Sequence, residues 1–368
     1  MEGQDVNGRE KWRGKFDYLL VMLGSSVGFG NFWRFPYVCA RNGGGAFLIP
    51  FVIFLFLGGF PLYFLELSMG QFSGKSYIHF YDVCPIFKGI SWCQLILAGL
   101  ANIYYVVIIE WLLYYIGSSF LSPLPWSNCN NEWNSPNCIT NRGVLKGNSL
   151  SMNASIASNN DSVTYMLNTT TTLIGYGNGT AYVTAQEEFW QRKVLQMSSG
   201  FEEIGRVNIP LVLCLLGAWV LVCLCIIKGV RSSGKVVYVT VTLPYILTFI
   251  LLIRVLMLDG SVDGIVKFIK PDFSKLLTFQ IWIEAALQVI FSLGPCWGSA
   301  ITLSSLNKFK NNCFRDTVTI CLLGEGTSIL AGLTIFGGLG FISKSFDLPI
   351  DSVAKAGMFN FKCFDSGL

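Results

Sequence analysis

Seven stretches of this chain are apolar enough, for long enough, to cross a bilayer, and no other feature narrows its folding options as far. A transmembrane helix needs about 20 mostly apolar residues. Charge-free runs cover residues 18–33, 44–65, 89–109, 207–227, 236–253 and 285–307, and a seventh, 317–343, is interrupted only by Glu325. Composition agrees. With 52% hydrophobic and 13% charged residues, the chain has too little charge to cover a soluble domain of its length.

The flanks of these runs set an orientation. Arg9, Lys11, Arg13 and Lys15 precede the first run, and Lys75 and Lys88 lie between the second and third. Lys228, Arg231 and Lys235 separate runs four and five, and Lys308, Lys310 and Arg315 separate six and seven. Placing these groups in the cytoplasm puts the N-terminus inside and follows the positive-inside rule. Lys267, Lys270 and Lys275 go against that trend. The polar stretch 122–206 then lies outside, and it holds the sequons at Asn153, Asn160, Asn168 and Asn178, which are expected to be glycosylated. Cys129 and Cys138 in the same stretch are expected to form a disulfide in that oxidising space. An external loop between spans three and four rules out a G-protein-coupled receptor, in which that loop is internal. The net charge of +4 forms no basic stripe with interleaved aromatics, so the expected partners are membrane lipid and a small solute, with no nucleic acid.

Run one reads Leu23-Gly24-Ser25-Ser26-Val27-Gly28-Phe29-Gly30-Asn31, a poor continuous helix. Unpaired backbone in hydrocarbon survives only where it lines a protected cavity, and an unwound turn there frees carbonyl oxygens for a hard cation. Close helix packing through small residues would also account for this composition. Run six tips the balance, because Ser292-Leu293-Gly294-Pro295-Cys296-Trp297-Gly298 is a second mid-segment break. Interrupted segments at corresponding places in two repeats point to a transporter binding site.

Gly30-Asn31-Phe32-Trp33-Arg34-Phe35-Pro36-Tyr37 and Asn42-Gly43-Gly44-Gly45-Ala46-Phe47-Leu48-Ile49-Pro50 closely resemble the signature of the neurotransmitter:sodium symporter family. Asn102-Ile103-Tyr104-Tyr105, Leu124-Pro125-Trp126, Lys228-Gly229-Val230 and Asn307-Lys308-Phe309 extend the resemblance along the chain. It implies an all-α membrane protein with the inverted-repeat fold of the bacterial leucine transporter. Spans 1–5 would form a complete first repeat, and spans 6 and 7 would open the second. Residues 1–16 would form a cytoplasmic segment, 17–343 the transporter domain and 344–368 an extracellular segment.

The resemblance also implies a site. Sodium would be held by carbonyls at Gly24, Ser26 and Val27 and by the side chains of Asn31 and Ser292. Substrate would meet Ser25, Gly28, Tyr105, Phe291, Gly294 and Trp297. Arg34 would belong to an outer gate, and Arg9 and Trp12 to an inner one. Chloride, where it is required, would be held by Gln288, Ser292 and Ser328 plus a tyrosine. Three departures stand out: Gly324 replaces a sodium-binding asparagine, Phe51 replaces the chloride-site tyrosine, and Glu325 is an intramembrane carboxylate.

The implied activity is sodium-coupled symport of a small neutral amino acid, glycine-like, across the plasma membrane. Family members that carry monoamines have an aspartate where this chain has Gly28, so the substrate here is expected to bring its own carboxylate. The family has twelve spans against seven here, so the chain alone is expected to bind sodium weakly and not to transport. The alternatives are a regulatory isoform that assembles with full-length transporters, or an incomplete gene model. No catalytic constellation competes. His79 has no partners at metal-ligand spacing, and the glycine-rich stretches lack the Lys-Ser/Thr ending of a phosphate loop.

Overall fold

The computed structural model describes residues 11, 12, 14–139, 165, 166, 174, 175, 183–198, 200, 202, 203, 205–227, 229–346 and 350. Its helices follow the apolar runs and mostly outgrow them. Helix α1 is Lys15–Ser26, and a π-helical turn at Gly30–Arg34 leads into α2, Phe35–Arg41. Next come α3 (Gly45–Phe54), α4 (Phe60–Ser73) and α5 (Lys88–Ser119). After the long loop follow α6 (Ile209–Ile226), α7 (Val230–Leu256) and α8 (Ser261–Ile269). The last three are α9 (Phe279–Leu293), α10 (Ser299–Ser304) and α11 (Cys313–Phe346).

Among the described residues five helical stretches are long and apolar enough to span a bilayer: Gly45–Ser73, Pro85–Ser119, Ile209–Ile226, Val236–Leu256 and Cys313–Ser345. The runs that yield no such helix are the first and the sixth, the two predicted to break. Within Gly45–Ser73 a π turn at Leu55–Gly59 joins α3 to α4. Pro61 follows it closely, and a proline cannot donate to the preceding turn and crowds its carbonyl.

Charge-free runs understate these helices. Glu66, Glu110 and Glu284 lie within the helices α4, α5 and α9, and all three are buried.

The described residues fall into two compact units. One comes from Met1–Asn102 with Cys223–Ile342, the other from Ile103–Val222 with Ser343–Leu368. In the first unit α1 packs on α7, α3 on α9 and α4 on α10. Its core is aromatic: the rings of Phe35 and Phe51 lie 5.0 Å apart, as do those of Phe268 and Phe336, and Phe268 reaches Phe35 at 6.5 Å. Helix α8 lies against α11 with almost no space between backbones. A Cβ at Gly264 would stand 1.9 Å from the Phe336 carbonyl oxygen, so only glycine fits there.

The second unit orders both ends of the long polar stretch. Trp126 and Tyr115 pack on Phe189 and on each other, Tyr115 stacks on Trp190, and the Trp111 and Trp190 rings meet at 5.1 Å. The Glu188 carboxylate accepts from the Ser135 amide at 2.9 Å and from Asn134 Nδ2 at 3.0 Å. Cys129 and Cys138 are joined by a disulfide. The expectation of a purely helical protein needs a small correction here. Cys138–Ile139 pairs in parallel with Val183–Thr184, and Tyr165–Met166 pairs antiparallel with Ile174–Gly175. The sequons at Asn153, Asn160, Asn168 and Asn178 lie outside the described residues, as does Arg9.

Candidate functional site

The first break is built by one side chain. After Ser26 the backbone turns extended at Val27 (φ −98°, ψ 111°). In a continuous helix the amides of Gly28 and Asn31 would donate to the carbonyls of Gly24 and Val27. Here the Gly28 amide donates to Asn31 Oδ1 at 3.1 Å, and the Asn31 amide donates to the Gly28 carbonyl at 3.1 Å. The carbonyls at the end of α1 are thereby relieved of their helical donors. Ser25 and Ser26 loosen the same turn by donating back to the Met22 carbonyl at 2.8 and 3.1 Å.

Asn31 is fully buried and ties the break to α11. Its Nδ2 donates to the Gly324 carbonyl at 3.1 Å and to Ser328 Oγ at 3.0 Å. Both amide protons are used. Oδ1 has accepted one bond and keeps a second lone pair. Ser26 lies beside Gly324, where a Cβ would meet Ser26 Oγ at an ordinary 3.6 Å. The position thus has room for the missing asparagine's first atom.

The second break follows α9. Gly294 adopts φ +67°, Cys296 φ +72° and Gly298 φ +80°. For Cys296 this left-handed backbone costs about 1–2 kcal/mol. Two side chains from other helices hold it. The Cys296 amide donates to Glu66 Oε1 at 2.6 Å, and Gln94 Nε2 donates to the Cys296 carbonyl at 3.0 Å. Neither Glu66 nor Gln94 was singled out for this role from sequence, although an intramembrane carboxylate is itself the signal that could have found the first.

The breaks meet at Gly30. A Cβ there would stand 3.4 Å from the Phe291 carbonyl oxygen, and Gln288 Nε2 donates to the Gly30 carbonyl at 2.8 Å. Arg34 donates to Gln288 Oε1 at 3.5 Å and lies 4.3 Å from the Phe291 ring centre, a cation–π contact. Arg41 and Asn42 both reach the Glu284 carboxylate at 2.5 Å, which fastens the end of α2 to α9. At the other end of α1, buried Trp12 donates through Nε1 to the Leu303 carbonyl at 3.0 Å.

Among the predicted residues, the structure therefore brings Ser26, Asn31, Ser292, Ser328, Gln288 and Arg34 into one connected region. Ser25 and Gly28 sit on the first break, and Phe291, Gly294 and Trp297 on or beside the second, with Trp297 next to Gly294. Tyr105 belongs to α5 within the second unit, where its ring lies 6.1 Å from that of Tyr104.

The two ions implied by sequence fare differently. Released carbonyls, the Asn31 Oδ1 lone pair and a serine hydroxyl are hard oxygen donors, and they fit an alkali cation. Chloride does not fit the donors assigned to it. Ser292 Oγ donates to Glu325 Oε1 at 2.5 Å, and Ser328 Oγ lies 3.2 Å from Glu325 Oε2. Gln288 Nε2 gives one of its two protons to the Gly30 carbonyl, and buried Phe51 has no hydroxyl.

Comparison with known proteins agrees with this architecture. The profile of the Sodium:neurotransmitter symporter family matches residues 9–364. The chain is 41% identical over 350 residues to the sodium- and chloride-dependent GABA transporter 2 of Rattus norvegicus, covering 95% of this chain and 54% of that protein. It is 40% identical over 349 residues to the human sodium- and chloride-dependent creatine transporter 1, covering 95% and 52%. It is 42% identical over 350 residues to the bovine sodium- and chloride-dependent taurine transporter, covering 95% and 53%. The chain thus spans about half the length of these relatives. Matched over nearly its whole length by the family profile, the chain belongs to the sodium:neurotransmitter symporter family, whose members are membrane transporters.

Proposed function

We propose that this chain supplies the sodium- and solute-binding elements of a sodium-coupled symporter for a small zwitterion. The observation that carries this reading is the first break, where Asn31 draws away the amides due to Gly24 and Val27. Sodium would take oxygens from Gly24, Ser26, Val27, Asn31 and Ser292. Ser25, Gly28, Phe291, Gly294 and Trp297 would surround the solute. Gly28 offers it no counter-charge, so the solute's own acid group completes the sodium shell. A glycine-like amino acid meets that requirement. The relatives' names widen it to GABA, creatine and taurine, in which the nitrogen and the acid stand further apart. Arg34 would close the outer side and Trp12, with Arg9, the inner side. The N-terminus would be cytoplasmic, the polar stretch 122–206 extracellular, and the host bilayer the plasma membrane.

The test is equilibrium binding of radiolabelled glycine, taurine and GABA to the full chain in lipid nanodiscs, with sodium exchanged for N-methylglucamine. At least one solute is expected to bind saturably, and only in sodium. Binding that is equal in both cations would overturn the reading.

A further inference from the structure

We propose that α8 is an interfacial anchor, its outward face seated among the glycerol and first acyl carbons of zwitterionic phospholipid in the outer leaflet. Successive residues of a helix stand about 100° apart, which divides α8 into three sides. Ser261, Gly264 and Phe268 form the first and are buried, with Phe268 on the Phe336 ring. Asp263 and Lys267, with Lys270 just past the last turn, form the charged second. Val262, Val266 and Ile269, at i, i+4 and i+7, form the third, which is apolar and more than half exposed at each residue. A helix on a protein in water needs two sides, one for the core and one for solvent. A third, apolar side calls for a third phase.

Span ends fix the height of α8. Only Met257–Gly260 separate it from the end of α7, a reach of at most about 14 Å. Its carbonyls at Lys267 and Ile269 press on Gly44 and Gly45, where a Cβ would stand 2.4 and 2.2 Å away, and Gly45 opens the span Gly45–Ser73. Near the end of the span Cys313–Ser345, a Cβ at Gly340 would stand 2.4 Å from the Gly260 carbonyl oxygen. Three spans thus end where α8 lies. Its apolar side continues the exposed Ile253 and Met257 and runs on to Phe273, Leu277 and Phe279, the last two 90% and 78% exposed. Trp282 donates through Nε1 to the Leu276 carbonyl at 3.0 Å and holds that turn in place.

Charge selects the lipid. Over residues 257–279, Lys267, Lys270 and Lys275 stand against Asp259, Asp263 and Asp272, so no net charge draws the segment to an anionic surface. Apolar area is left as the driving force, and anionic lipid belongs to the cytoplasmic leaflet. The three lysines that go against the orientation rule find a place here as anchors at headgroup level. The choice of leaflet rests on the proposed orientation, with the N-terminus cytoplasmic.

The test uses the full, unaltered chain in phosphatidylcholine nanodiscs doped with a phosphatidylcholine that carries a diazirine at the top of one acyl chain. After irradiation, peptide mass spectrometry should find adducts on Val262, Val266 and Ile269 about fivefold or more above those on Asp263 and Lys267. Helix α6 serves as the lipid-facing control and residues 122–135 as the water-facing one. Labelling of α6 with 262–279 no higher than 122–135 overturns the proposal. Exchanging part of the lipid for phosphatidylserine should leave the pattern unchanged. A rise of about fivefold or more on 262–279 in that mixture overturns the choice of zwitterionic lipid.

The Val266→Asp, Ile269→Asp double variant should lose about tenfold of the labelling on 262–279 while α6 keeps its own. Equal labelling overturns the proposal. If that variant fails to fold, Val266→Cys decides: it should stay monomeric in the nanodisc, and a disulfide-linked dimer in place of lipid labelling assigns this face to a second copy and overturns the anchor. Orientation is read separately. Lys270→Cys, compared with the wild type, should react with a membrane-impermeant maleimide on intact cells. No reaction there, alongside lipid labelling of 262–279 in nanodiscs, overturns the orientation and leaves the anchor standing. Reaction without lipid labelling does the reverse.

Discussion

The two breaks solve one problem, a helix interrupted inside a membrane, by opposite means. The first is held from within. Asn31 lies seven residues or fewer from the groups it rearranges, and its side chain both caps Gly28 and reaches α11. The second is held from outside, by Glu66 on α4 and Gln94 on α5, each gripping one face of the Cys296 peptide. A break that carries its own cap forms wherever the segment forms. A break capped by other helices exists only once those helices have packed.

Asn31→Ala is expected to have the largest effect. It removes one acceptor and two donated bonds from a buried centre, at about 1–3 kcal/mol for each group left unsatisfied. Sodium-dependent solute binding should vanish, and the midpoint of thermal unfolding in detergent should fall. Retention of sodium binding near the wild-type level would show that the first break is not held from within.

Next comes Glu66→Ala, which orphans the Cys296 amide at about 1–3 kcal/mol. Glu66→Gln keeps an acceptor oxygen and should recover most of the loss in chemical unfolding. Equal damage from Ala and Gln would mean that charge, not hydrogen bonding, holds the second break.

Gly294→Ala places a Cβ on a residue at φ +67° and should cost about 1 kcal/mol of unfolding free energy. Gly28→Ala at the first break is a useful contrast, because it tests whether local chemistry tolerates there what the second break does not. Ser25→Ala should be the mildest, within about 0.5 kcal/mol, since the hydroxyl bonds back into its own helix. A loss larger than that of Gly294→Ala would reverse the ranking of the two regions.

What could be read from sequence follows the same division. The first break was legible because its cause is local: three glycines, two serines and an asparagine within nine residues. The second was legible as an interruption, through Gly294, Pro295 and Gly298, but not in its support. Glu66 and Gln94 lie more than two hundred residues from Cys296 in the chain, and no local pattern links them. Helix lengths were underestimated for a related reason. A charge-free criterion stops at Glu66 and Glu284, yet each of these carboxylates is neutralised or hydrogen-bonded by partners that only the fold supplies. Glu325 stood out as an intramembrane acid, while its hold on Ser292 and Ser328 required the packing of α9 against α11.

The short parallel pairing of Cys138–Ile139 with Val183–Thr184 has a consequence for engineering. It sets Ile139 and Val183–Thr184, which flank residues 140–182, side by side next to the disulfide. A connection whose ends are already joined can change length at little thermodynamic expense, since the entropy of closing a loop grows only with the logarithm of its size. Epitope tags or fluorescent domains inserted there should leave the spans undisturbed, and the same property would let this stretch vary freely in length from one relative to the next.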